Sequence, residues 1–88
     1  MGISYDTFMN DENREKILKA IRSVDPDFSE DKLKPDFVLK DIVGWDSMNS
    51  INFTISLEDD YNMDEGVMDI TGEETIADVI NQIDQLSK

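Results

Sequence analysis

Ser47 is the side chain with the most chemical potential in this chain. It lies in the stretch GWDSMNSINF, residues 44–53, where a glycine, the only tryptophan, an aspartate and a serine lead into an apolar periodic segment. Either Asp46 or Ser47 can accept hydrogen bonds from the first free N–H groups of a helix starting here. A serine at a helix start has a second use. Unpaired amides and the helix dipole favour a phosphate there, so a phosphate ester on Ser47 would be stabilised by the backbone itself. Ser50 and Ser56 are the rival hydroxyls in the same segment.

Other chemistry is excluded by composition. The 88 residues contain no cysteine and no histidine. The chain therefore lacks a disulfide, a thiolate metal site and a catalytic Cys, and cannot assemble a Ser-His-Asp triad alone. Asp60-Asn62-Asp64 opens like a calcium loop, but Glu65 stands where that loop needs glycine and Thr71 where it needs the closing glutamate. Glu58, Asp59 and Asp60 form an acidic helix end that could gather cations weakly. Their placement opposes the helix dipole by roughly 0.3–1 kcal/mol each. No metal site is expected.

The net charge is −13, from 21 acids and 8 bases. Residues 1–40 hold nine acids and seven bases, whereas residues 41–87 hold twelve acids and no base. Such a half repels nucleic acid and anionic lipid and attracts basic protein surfaces. No apolar run reaches membrane-spanning length and no secretory signal is recognised. The expectation is one cytoplasmic domain over residues 1–88, monomeric, with no nucleic-acid partner and no membrane insertion.

The elements that must position Ser47 are helical. A first helix within residues 6–24 is predicted from Ile17, Leu18, Ile21 and Val24, with Asp6, Thr7 or Asn10 as its cap. A long irregular stretch, 25–46, follows. It is punctuated by Pro26 and Pro35 yet carries Phe28, Leu33, Phe37, Val38, Leu39, Ile42, Val43 and Trp45, so it reads as an ordered loop packed on a core. A second helix is predicted over 47–61 with two apolar stripes. Phe53, Leu57 and Tyr61 form one; Met48, Ile51 and Ile55 form the other. One must face the core, and the other is left as recognition surface. Residues 62–74 should turn and hold one short helix. Thr75 and Asp78 read as a cap pair for a last helix through Ile76, Val79, Ile80, Ile83 and Leu86. The predicted fold is all-α: a small up-down bundle of three main helices plus a short third helix, with a long loop between the first and second.

Gly44-Trp45-Asp46-Ser47-Met48 resembles the Asp-Ser-Leu site of acyl carrier proteins and of the related peptidyl and D-alanyl carrier domains. Phe53, Leu57, Glu58, Asp59, Asp60 and Tyr61 match that family's second-helix pattern, and Thr75 to Ile80 match the start of its last helix. The resemblance covers nearly the whole chain, with specific motifs over 44–61 and 75–83. It departs at Met48, where Leu is usual, and at Asn52, where many fatty-acid carriers have glutamate.

The resemblance implies a carrier, not an enzyme. Ser47 would bear 4′-phosphopantetheine, transferred from coenzyme A by a separate phosphopantetheinyl transferase with Mg²⁺. The thiol of that arm would hold an acyl or aminoacyl group as a thioester. Asp46 would aid transferase recognition. Met48, Ile51 and Ile55 would be apolar docking positions, and Glu58 and Asp59 acidic ones. Partners would be a loading ligase and downstream transferases or synthases with basic docking surfaces, in fatty-acid, polyketide, nonribosomal-peptide or related biosynthesis. The alternative is an unmodified, degenerate carrier-fold interaction module; a plain acidic helical adaptor is the third reading.

Overall fold

The computed structural model describes residues 4–86. Four helices are present among them: α1, Tyr5–Phe8; α2, Asp11–Arg22; α3, Ser47–Asp60; and α4, Ile76–Leu86. Two single-turn 3₁₀ segments, Glu30–Lys32 and Leu39–Asp41, punctuate the long connection before α3. The assembly is a small all-helical bundle, 31 × 28 × 21 Å.

The predicted first helix is two helices. Asn10 breaks it: its side chain accepts the Asn13 N–H at 2.8 Å, and Asn13 Nδ2 donates back to the Phe8 carbonyl at 2.9 Å. Asn10 thus caps α2 with an extended backbone, and α1 is left as a separate turn. Val24 lies beyond the end of α2 but still packs against the core.

The core draws on every element. Ile17, Leu18, Ala20 and Ile21 of α2 meet Phe53 and Leu57 of α3 and Ile76, Val79, Ile80 and Ile83 of α4. Phe28, Leu33, Leu39 and Ile42 of the long connection are buried with them. That connection is therefore an ordered part of the fold, as its apolar content predicts. One antiparallel bridge, Val38 to Thr75, ties it to the start of α4. There the Leu39 N–H donates to the Glu74 carbonyl and the Lys40 N–H to the Gly72 carbonyl, both at 2.9 Å.

Thr75 and Asp78 form the predicted reciprocal cap of α4. Thr75 Oγ1 accepts the Asp78 N–H at 3.2 Å, and Asp78 Oδ2 accepts the Thr75 N–H at 3.1 Å.

The short helix expected within 62–74 is not there; the segment is a chain of turns and bends. Its amides are taken by side chains instead of by helical carbonyls. Glu58 Oε2 accepts the Met68 N–H at 2.9 Å, and both Glu58 oxygens accept the Gly66 N–H at 3.1 Å. Glu74 accepts the N–H groups of Thr71 and Gly72 at 2.9 and 2.8 Å. Gln82 of α4 pairs with both the N–H and the carbonyl of Asp69, each at 2.9 Å. With its backbone satisfied this way, the segment gains nothing from coiling.

Candidate functional site

The site is built on the first turn of α3. Asp46, extended at φ −151° and ψ −175°, is its N-cap. One of its carboxylate oxygens accepts the Asn49 N–H at 2.7 Å, and its carbonyl accepts the Ser50 N–H at 2.9 Å. Asn49 Nδ2 donates to the Gly44 carbonyl at 2.7 Å, which folds the approach strand against the helix start. The capping duty that Asp46 and Ser47 could share thus falls to Asp46, a contribution of about 1 kcal/mol.

Ser47 is the first residue of α3 and is exposed. It enters the local network through its carbonyl, which accepts the Ser50 hydroxyl at 3.1 Å. That bond occupies Ser50, and Ser56 is half-buried on the same helix. Of the three serines, Ser47 presents its hydroxyl at the end of the helix where the dipole is positive.

Trp45, two residues earlier, is half-buried. Its ring meets Phe53 edge-on, with centroids 5.5 Å apart, and the Trp45 backbone N–H donates to the Ile42 carbonyl at 3.1 Å. It anchors the end of the long connection to α3.

The two stripes of α3 divide as their spacing predicts. Phe53 and Leu57 are fully buried, and Tyr61 packs against the core just past the helix end. Met48, Ile51 and Ile55 are exposed, at 72, 55 and 41%. Val43 and Val67 are exposed as well. A groove of about 250 Å³ runs between α3 and residues 65–70, with Ile51, Ile55, Met68 and Ile70 on its walls and Glu58 beneath. A larger groove, about 500 Å³, lies elsewhere, on the outer face of α2. The bases there are engaged: Lys16 with Glu12 at 3.4 Å, Lys19 with Asp60 at 3.3 Å, and Arg22 Nε with the Phe28 carbonyl at 3.1 Å.

The acidic end of α3 departs from expectation. Glu58 is only 2% exposed and turned inward onto Gly66 and Met68, so it is not presented at the surface as the expected acidic docking position requires. The reason is local: α3 runs past residues 66–68, whose amides need an acceptor. Asp60 is tied to Lys19, and Asp59 alone of the three stands exposed. The carboxylates diverge, and no group of three or more acidic side chains among the described residues is placed to hold a metal ion.

Two residues that support the seat of Trp45 escape a reading of motifs. Gly72 is buried against the Trp45 ring. Glu74 gathers the turn that holds Gly72 in place. Gly72 has no local sequence signal, because the ring it meets is 27 residues away, and Glu74 reads as one more acid in an acidic turn.

No helix among the described residues is long and apolar enough to cross a membrane. Comparisons with protein-family models, with curated proteins and with solved structures find no match to this chain.

Proposed function

We propose that this protein is a cytoplasmic acyl or aminoacyl carrier, modified on Ser47 with 4′-phosphopantetheine. The observation that carries the reading is the division of labour at the start of α3. Asp46 does the capping, which leaves the neighbouring serine exposed and unneeded for helix stability. The Gly44-Trp45-Asp46-Ser47-Met48 motif resembles the carrier site at these same residues.

The residues present suit such an arm. Ser47 Oγ would form a bond to the phosphorus of the pantetheine phosphate as the pyrophosphate bond of coenzyme A breaks. Adenosine 3′,5′-bisphosphate leaves, and the hydroxyl proton passes to a base on the transferase. The amides of the first turn of α3 favour the new phosphodiester. The arm supplies the thiol this chain lacks, on which cargo is held as a thioester. Met48, Ile51 and Ile55 offer partners an apolar contact. Asp46, Asp59 and the other surface acids of residues 41–86 steer basic partner surfaces towards it.

The test is an intact mass measured after incubation with coenzyme A, Mg²⁺ and a promiscuous phosphopantetheinyl transferase. One added phosphopantetheine is expected on the wild type and none on Ser47→Ala. An unmodified wild type would overturn the carrier reading in favour of an acidic docking module. A modified Ser47→Ala would move the site to Ser50 or Ser56.

A further inference from the structure

Gly72 has no side chain where one would collide with the tryptophan beside the candidate site. A methyl group on it would stand 2.6 Å from Trp45 Nε1 and 3.3 Å from Cε2. The first distance is shorter than any carbon-to-nitrogen contact allows. Its backbone, at φ +106°, is also one that other residues resist.

Neither partner is free to retreat. Gly72 is held by the Lys40 N–H on its carbonyl at 2.9 Å and by Glu74 on its own N–H at 2.8 Å. Trp45 is held by its backbone N–H to the Ile42 carbonyl, and its ring is held against Phe53. Phe53 is itself fully buried in α3. Trp45 is covalently next to Asp46, the cap of α3, and two residues from Ser47. Where the ring sits therefore fixes the path by which residues 45–47 enter the helix.

We propose that Gly72 is a positioning residue for the modification of Ser47, acting through the seat it leaves for the Trp45 ring. The inference rests on the carrier reading. It adds that the turn at 71–74, remote in sequence, sets the presentation of the serine hydroxyl. A group transfer to that hydroxyl needs its oxygen placed to within a fraction of an ångström, and a displacement of about 1 Å costs on the order of 100-fold in rate. The exposed stripe Met48, Ile51 and Ile55 does not touch Gly72, so docking should survive its substitution.

The experiment measures steady-state phosphopantetheinylation of the full chain, with coenzyme A and a promiscuous transferase, alongside Trp45 emission. Trp45 is the only tryptophan, so its emission reports the ring directly. Gly72→Ala is expected to lower kcat by about tenfold or more, to leave KM within about threefold, and to shift the emission. Gly66→Ala is the control. Gly66 has a similar φ, +88°, but open space around it. It should carry the backbone strain while leaving kcat and emission unchanged. In the Trp45→Phe background, Gly72→Ala should cost less than about threefold, since the colliding part of the ring is gone.

Wild-type kcat in a folded Gly72→Ala protein overturns the proposal, as does a loss undiminished in the Trp45→Phe background, or an equal loss in Gly66→Ala. If Gly72→Ala does not fold, Trp45→Ala takes its place: a fall in kcat at unchanged KM supports the proposal, and an unchanged kcat overturns it. Failure of the wild type to be modified is a separate result, which removes the carrier reading and this proposal together.

Discussion

The Glu58 carboxylate accepts the backbone N–H of Met68 at 2.9 Å, across the gap between α3 and the segment that follows it. It also accepts the Gly66 N–H, and it is almost completely buried. A single acid thus holds the wall of the groove beside Ile51 and Ile55. Glu58→Ala leaves the buried Met68 amide, and the partly buried Gly66 amide, without an acceptor and should destabilise the fold by about 1–3 kcal/mol. Asp59→Ala, one residue on and exposed, should stay within about 0.5 kcal/mol. Urea denaturation of both variants checks the contrast, and equal midpoints would contradict it.

Ile51→Asp tests the division of the α3 stripes. Ile51 is more than half exposed, so the helical circular dichroism should persist with a stability change of about 0.5 kcal/mol or less. The KM of the transferase should rise. Collapse of the helical signal would place Ile51 in the core.

Acid should loosen the turn at 71–74. Partial burial of Glu74 pushes its pKa up, but the N–H groups of Thr71, Gly72 and Glu74 itself and the Thr71 hydroxyl outweigh that effect. They hold it below its ordinary 4.5. A carboxyl depressed in the folded state stabilises the protein above its unfolded pKa. That stability is lost as pH falls through the folded value, because the unfolded chain binds the proton first. Melting temperature should therefore drop as pH falls below about 4.5, and Glu74→Gln should flatten the drop.

Alkali acts at Tyr61. Its hydroxyl donates to Asn13 Oδ1 at 2.7 Å. Burial raises its pKa, reinforced by Asp60 and Glu12, so it ionises only well above the ordinary 10.0. Here the sign is reversed. The contribution is complete below the unfolded pKa and disappears as pH climbs from there towards the raised folded value. Thermal melts across that range should show a loss that Tyr61→Phe abolishes.

The charge on residues 41–87 should be felt in salt. At low ionic strength, Mg²⁺ or added NaCl is expected to raise the melting temperature by screening repulsion among twelve acids, of which Asp60 and Glu73 pair with Lys19 and Lys40. A melting temperature indifferent to both would argue against that repulsion.

Much of this fold was legible as periodicity. Ile17, Leu18 and Ile21 on α2, Ile76 to Ile83 on α4, and the two stripes of α3 are repeats of apolar side chains, and spacing reads those directly. Of the candidate site, the surplus stripe Met48, Ile51 and Ile55 came from the same spacing, whereas Ser47 was marked by its place at a helix start. The allocation of the cap to Asp46 did not, because adjacent Asp and Ser are both good caps. The break at Asn10 and the absence of helix within 62–74 were not legible either. Both depend on side chains that capture backbone amides, and Glu58, Glu74 and Gln82 bear no local mark of that use. Glu58 in particular looks like its exposed neighbour Asp59 until the chain folds back over it.

The amides of Gly66, Met68, Asp69, Thr71 and Gly72 are satisfied by side chains that reach them from α3, from α4 and from Glu74. Glu58 and Gln82 are in position only once both helices have docked, whereas Glu74 reaches Thr71 and Gly72 from within the same turn. The segment therefore closes last in folding and is the first to open in the native state. In hydrogen exchange the amides of Gly66, Met68 and Asp69 should form one early-exchanging group, released together while the cores of α3 and α4 remain protected.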